Sequence, residues 1–287
     1  GAQYQVGFRY DRGIGVPADD EEALRWYRKA AEQGQAVAQF TLGTKYANGQ
    51  GVPKDDEEAL RWWRKAAERG CAAAQYNLGL IYAKGMGVPV DHGEAATWYR
   101  QAAEQGDSNA QVNLGSMYAD GVGVPENDQE AARWYRLAAE EGHAQAQSNL
   151  GYMYNFGQGV PQDSEEAVKW YRKAAEQGYA MAQKNLGLMY SRGAGVAQDF
   201  KEAAKLYLLA AEQGQPDAQF LLGAMYALGG GLPGDTVQAY AWYNLAGANG
   251  QADATSEKET LGKEMTPEQV NRAQDLSKEL YEKIQGN

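Results

Sequence analysis

Glycine recurs at Gly7, Gly43, Gly79, Gly115, Gly151, Gly187 and Gly223, spaced by 36 residues with no insertion or deletion, and each copy follows Val or Leu. A second series keeps the same time. Gly-Val-Pro begins at Gly15, Gly51, Gly87, Gly123 and Gly159, with Gly195-Val196-Ala197 and Gly231-Leu232-Pro233 as altered copies. A fixed period of this length constrains the fold more than composition does. Each unit is too short to close its own core, so it buries its apolar face by stacking on its neighbours, and the product is a solenoid. The usual relation between chain length and domain number does not apply to such an array.

Each unit spells two helices. In Gln35–Gly70 the first helix places Ala38, Leu42, Lys45 (Ile81, Met117, Met153, Met189 and Met225 in other copies) and Tyr46 on one side of a helical wheel. The second repeats Ala59, Trp62, Trp63, Ala66 and Ala67 at three-four-seven spacing, a wide stripe in which large residues stand among alanines. Trp26, Trp62, Trp98, Trp134 and Trp170 share one wheel position and are expected in the core, with Leu206 as their apolar substitute. Asp or Asn opens every second helix (Asp19, Asp55, Asp91, Asn127, Asp163, Asp199, Asp235), and Glu or Gln follows three residues later. That spacing predicts a capping box, with Asp55 accepting from open backbone N–H groups while Glu58 reaches back. Gly34, Gly70, Gly106, Gly142, Gly178, Gly214 and Gly250 stand where left-handed helix stops are expected, and Gly49-x-Gly51-Val52-Pro53 is the turn between helices.

The stretch "AQYNLGLIYAKGMGVPVDHGEAATWYRQAAEQG" (Ala74–Gly106) resembles the Sel-one-like repeat, a relative of the tetratricopeptide repeat with a longer glycine-rich turn. The resemblance covers residues 2–250. It implies an all-α fold: a right-handed α/α superhelical solenoid of about seven 36-residue helix-turn-helix repeats that serves as an adaptor for other proteins. The expected units are 1–34, 35–70, 71–106, 107–142, 143–178, 179–214 and 215–250, followed by a C-terminal cap over 251–287. In that cap Thr266, Pro267 and Gln269 open an amphipathic helix carrying Val270, Ala273, Leu276, Leu280 and Ile284 on one side. A cysteine-rich branch of the family is linked to β-lactam or peptidoglycan-like ligands. This chain departs from it, with Cys71 as its single cysteine.

Composition sets the outer bounds of function. Thirty-eight acidic against 27 basic side chains give a net charge of −11, which repels phosphate backbones and anionic membrane surfaces. Nucleic acid is therefore not an expected partner. No run approaches the ~20 apolar residues of a membrane span, so no membrane insertion is expected. Residue 1 falls within the first helix of the first repeat, so the N-terminus reads as truncated. The compartment stays open, with periplasm or secretion favoured over cytoplasm through the exported members of the family. A monomer is expected.

Nothing in the chain has the pattern of a catalytic or metal site, and no cofactor is expected. His92 and His143 occupy positions filled by Asp, Ser or Gln in other copies and read as surface substitutions; Cys71 reads as a surface thiol with no histidine near it in sequence. The Gly-x-Gly turns follow no strand, and the Asp-Asp-Glu-Glu runs coincide with helix starts, where acidic residues complement the helix dipole. On the second helix Arg25, Arg28, Lys29 and Glu32 read as a solvated outer row, with Glu57–Arg61 and Glu165–Lys169 as four-residue pairs.

Binding is expected where the repeats differ. Positions equivalent to 37, 40, 41, 44 and 48 lie opposite the core, on the side that lines the concave surface in the family. The candidate partner-binding residues are Phe40, Tyr76, Asn77, Asn113, Asn149, Tyr152, Lys184, Asn185 and Phe220. The asparagines offer donors and an acceptor to a bound peptide backbone, or else they bond neighbouring helices; both readings stay open. A non-catalytic scaffold that binds protein or peptide is the expectation. The alternatives are a protein that binds or hydrolyses β-lactams or peptidoglycan fragments, and an assembly element acting through its ends.

Overall fold

The computed structural model describes residues 1–286. Among them the regular structure is helical throughout: α1 (Ala2–Arg12), α2 (Asp20–Glu32), α3 (Ala36–Asn48), α4 (Asp56–Glu68), α5 (Ala72–Lys84), α6 (His92–Glu104), α7 (Ser108–Asp120), α8 (Asp128–Glu140), α9 (Ala144–Phe156), α10 (Ser164–Glu176), α11 (Ala180–Arg192), α12 (Phe200–Ala211), α13 (Pro216–Leu228), α14 (Thr236–Ala248), α15 (Ala254–Gly262) and α16 (Pro267–Gln285). Two compact units are present, one of residues 1–141 and one beginning at Gly142. Within each, a first helix packs on its own second helix and that second helix on the next first helix, which is solenoid packing.

Helix boundaries follow from side-chain chemistry. Asp55 Oδ1 accepts from the backbone N–H groups of Glu57 (3.1 Å) and Glu58 (3.0 Å), and the copies at Asp19, Asn127, Asp199 and Asp235 do the same for their helices. The reverse arm of the expected capping box is not formed in these repeats. Glu58 turns instead to Arg61 (2.8 Å), Glu130 to Arg133 (3.1 Å) and Glu166 to Lys169 (2.8 Å). These are three-residue pairs, which also replace the four-residue pairs expected for Glu57–Arg61 and Glu165–Lys169. A full capping box forms at Thr266 and Gln269.

Between helices, the second glycine of the turn touches the preceding repeat at Gly51, Gly123, Gly195 and Gly231. A Cβ on Gly123 would lie 2.3 Å from the backbone oxygen of His92, and φ there is +74°. No L-residue side chain fits that approach, so the turn is also a stacking contact.

A second close approach explains the 36-residue glycine series. The aromatic residue at the next wheel position after each tryptophan lies flat on the first helix of its own repeat, where a Cβ on Gly79 would stand 2.4 Å from the Tyr99 ring and one on Gly151 2.9 Å from Tyr171. Tyr27, Tyr99, Tyr171 and Tyr207 are sealed, each no more than 3% exposed. Trp62, Trp134 and Trp170 are buried as expected, but Trp26 and Trp98 are only half-buried. Cations lie over several indoles, Lys65 at 4.4 Å from the Trp62 ring centre and Lys173 at 4.2 Å from Trp170. The residue seated on the glycine is thus the keystone, a tyrosine in six repeats and Trp63 in the second, and the tryptophan series flanks it.

Buried glutamines tie helix ends together. Gln75 Nε2 donates to the Ala67 carbonyl (3.0 Å), and Gln75 Oε1 accepts from Gln105 Nε2 (2.6 Å). Gln183 with Gln213 and Gln219 with Asn249 repeat the arrangement. In the fourth repeat Glu141 stands where Gln105 stands in the third, and Gln111 Oε1 is buried with no partner. A carboxylate has no donor to give it. Glu141→Gln is expected to raise stability by about 1 kcal/mol, the worth of one satisfied buried bond, as read by urea denaturation. No gain would show that the Gln111 carbonyl is already satisfied in solution.

Register continues past the seventh repeat. Ala254 is wholly buried at the place of Ala218, and Gln251 caps its backbone N–H as Gln215 caps that of Ala218. Lys258 and Glu259 then stand where Leu222 and Gly223 were, so no eighth repeat can seal, and α15 stops after nine residues. Helix α16 packs on α14: Val270 and Leu276 lie against Val237 and Tyr240, and Ser277 Oγ accepts from Asn244 Nδ2 at 2.8 Å. Its far end reaches the preceding repeat through Lys283 to Glu212 (2.7 Å).

Candidate functional site

Helical periodicity divides each first helix into a core side and a side turned away from the second helices. In the first unit that outer side carries Phe40, Tyr76, Asn77 and Asn113, all half-buried. The Tyr76 ring lies 6.0 Å from that of Tyr99, tilted by 45°. Asn113, from the next repeat, stands beside the hydroxyls of both Tyr76 and Tyr99. Burial pushes the Tyr99 hydroxyl up to about 12, with Tyr76 adding to the shift and Asn113 opposing it. Phe40 packs against the cluster around Ala66, Leu78 and Ile81.

The second unit repeats this plan with different surface residues. Asn149, Lys184, Asn185 and Phe220 are half-buried. Asn185 stands beside the hydroxyl of Tyr171, which burial and then Tyr152 push well above the ordinary tyrosine value. The Phe220 ring lies 5.4 Å from Tyr243. Lys184 pairs with Asp217 on the next first helix at 3.4 Å. Tyr152 differs from the other eight candidates: it is 45% exposed, and its ring packs on Phe156 at 4.5 Å.

In the first unit Tyr76, Asn77 and Asn113 form a floor over the buried tyrosines, with Val112 sealed within it at 2% exposure. In the second unit Asn149, Asn185 and Phe220 do the same, with Ser148 sealed at 2%, and Tyr152 and Phe156 rise above that floor. Phe156 was not singled out by the sequence, although position 48 reads Arg12, Asn48, Lys84, Asp120, Phe156, Arg192, Leu228, a row in which a phenylalanine is out of character. Charge is uneven as well. The seven first helices carry Arg9, Arg12, Lys45, Lys84, Lys184 and Arg192 against Asp11, Asp120 and Asp217, a basic excess in a chain of net charge −11.

The second-helix side is less purely solvated than its sequence suggests. Arg64, Arg100 and Arg172 each donate to a tyrosine hydroxyl of the next repeat, Tyr82 (2.7 Å), Tyr118 (2.8 Å) and Tyr190 (3.0 Å), so this row staples repeats together. A recess of 530 Å³ there is lined by Asp56, Leu60, Arg61, Arg64, Lys65 and Glu68. His92 is exposed. His143 is half-buried and caps α9, its Nδ1 accepting from the Ala146 backbone at 3.4 Å, so its ring has a structural task the sequence did not reveal. Cys71 is half-buried against the Ala66–Leu78 cluster rather than a plain surface thiol. Among the described residues no group of three His, Cys, Asp or Glu side chains could hold a metal ion, and no helix is long and apolar enough to cross a membrane.

Comparison with known proteins agrees with the repeat pattern. A family model described as "Sel1 repeat" matches seven times in succession, at residues 1–35, 36–71, 72–107, 108–143, 144–179, 180–215 and 216–251. A Sel1 repeat protein from Oxalobacter formigenes is 38% identical in sequence over 91% of this chain and 75% of its own, with a TM-score of 0.71. A protective antigen of uropathogenic Escherichia coli strains displaying an SLR fold is 31% identical over 99% of this chain and 84% of its own, with a TM-score of 0.55. Comparison with curated proteins returns no match.

Proposed function

The chain belongs to the Sel1 repeat family, whose members are generally protein-interaction scaffolds, and from that premise we propose that it is a non-catalytic adaptor binding protein or peptide on its first-helix face. One observation carries this reading. Residues that stack the repeats hardly vary, whereas position 44 on the first-helix face runs Phe8, Thr44, Leu80, Ser116, Tyr152, Leu188, Ala224. A surface free of any common structural demand is where partner specificity can be written.

The test is a footprint. With the partner recovered by affinity capture, amide hydrogen exchange of the complex is expected to show protection on the first helices of one unit or both. Protection confined to second helices would sink the proposal. Incubation with a β-lactam and with muropeptides, followed by mass spectrometry, is expected to leave both unchanged, and turnover would refute the non-catalytic reading.

A further inference from the structure

Helix α9, "AQAQSNLGYMYNF", carries no charged side chain. Its outer face instead displays Tyr152 and Phe156, one helical turn apart, 45% and 55% exposed, with rings 4.5 Å apart and inclined at 46°. Each ring rests on the other rather than in the core. Two half-exposed aromatics in contact on an ordered helix are costly in water and have lost most of their rotamer freedom already, which is the condition of a binding anchor.

What lies beside them identifies the occupant. The next first helix, α11, brings Lys184 and Arg192 and no carboxylate. Arg192 is exposed and forms no ion pair among the described residues; Lys184 is held only by Asp217, whose side chain is 52% exposed. A ligand carboxylate could therefore meet Arg192 directly and exchange with Asp217 at Lys184. Asn185, between the two cations in sequence, stands beside the Tyr171 hydroxyl in the floor beneath.

We infer that the α9–α11 face anchors an acidic, extended segment of a partner protein, one or more apolar side chains packing on Tyr152 and Phe156 and neighbouring carboxylates pairing with Arg192 and Lys184. The inference rests on the adaptor reading and narrows it to one unit and one partner chemistry. The chain as a whole is strongly acidic, so an acidic segment is drawn to the first-helix cations rather than to the protein at large, and the exposed pair Tyr152 and Phe156 singles out the cations of α11 among them.

Panning a random dodecapeptide display library on the intact protein tests it. Enriched sequences are expected to combine Asp or Glu with Leu, Phe or Trp. Binding of the enriched peptides should fall at least roughly tenfold in Tyr152→Ala/Phe156→Ala and likewise in Arg192→Glu, while Lys169→Ala on the second-helix side leaves it unchanged. Helicity of all three variants should match the parent. No enrichment, enrichment of basic or uncharged peptides, or equal binding by the aromatic variant would overturn the inference. If the hydrogen-exchange footprint of the captured partner still fell on first helices, the adaptor reading would survive that failure; a footprint on second helices would remove both.

Discussion

Tyr171→Ala is expected to cost about 3–5 kcal/mol, the combined transfer and cavity terms for a buried aromatic ring. The ring is 1% exposed and lies against Gly151 with Asn185 beside its hydroxyl, so no neighbour can collapse into the space without moving a helix. Because stability in a repeat array is a sum of unit and nearest-neighbour terms, the loss should appear first as faster amide exchange in α9, α10 and α11. Trp98→Ala is the contrast. Trp98 is half-buried and its indole N–H is bonded to Glu94 at 2.9 Å, so about 1–2 kcal/mol is expected from partial burial. Equal losses at the two positions in urea denaturation would show that the glycine-seated tyrosine is not the keystone of the repeat.

That contrast also marks what the sequence discloses. Periodicity locates both members of each aromatic pair on one stripe, and both are apolar enough for a core. Which one seats on the glycine of the facing helix is decided by a contact made only when the repeat closes. Capping behaves in the same way. The Asp at each start is legible because its partners are its own backbone, two and three residues on. The reverse arm fails because the N-cap N–H already donates to a carbonyl of the preceding helix, Asp55 to Tyr46 and Asn127 to Tyr118, which leaves the glutamate to Arg61, Arg133 or Lys169. In the third repeat Thr97 replaces the cation, and Glu94 bonds Trp98 instead. In α16 the Thr266 N–H is given to Gln269 rather than to a preceding helix, and the full box forms.

The candidate face was legible as a face but not as a relief. Wheel positions place Tyr76, Tyr152 and Phe220 alike; only the packed neighbours decide that Tyr76 and Phe220 lie back on Tyr99 and Tyr243 while Tyr152 stands out with Phe156. Asn113 and Asn185 each stand beside a buried tyrosine hydroxyl of the preceding repeat, so a structural and a binding reading both apply to them.

Asp11→Ala is expected to destabilise the first unit by about 3 kcal/mol, yet the double variant Asp11→Ala/Lys45→Met should be close to the parent. Lys45 is 5% exposed, the one charged residue buried among the described residues, and its Nζ bonds Asp11 and, at 2.8 Å, Asp20. Burial by itself lowers its affinity for a proton, but the bonds to the two aspartates outweigh burial and leave its pKa above the ordinary lysine value. Removing Asp11 strands most of a buried ammonium, for which losses of about 3–5 kcal/mol are usual; the exposed Asp20 should hold the effect to the lower end. The later repeats show that the site needs no charge at all: Ile81 stands at the Lys45 position with Ala47 in the place of Asp11, and Met117 likewise with Ala83. Converting both residues therefore recreates a joint the chain already uses. The coupling between the two substitutions should reach about 2 kcal/mol or more in a double-mutant cycle. Its pH dependence has a defined sign. A raised lysine pKa contributes stability that is complete below about 10.4 and is lost as pH rises through the folded-state value. The parent should thus lose stability relative to the double variant in alkaline urea titrations. If the losses from Asp11→Ala and Lys45→Met simply added, the three side chains would not act as one buried unit, and the first repeat would be joined to the second by its apolar contacts alone.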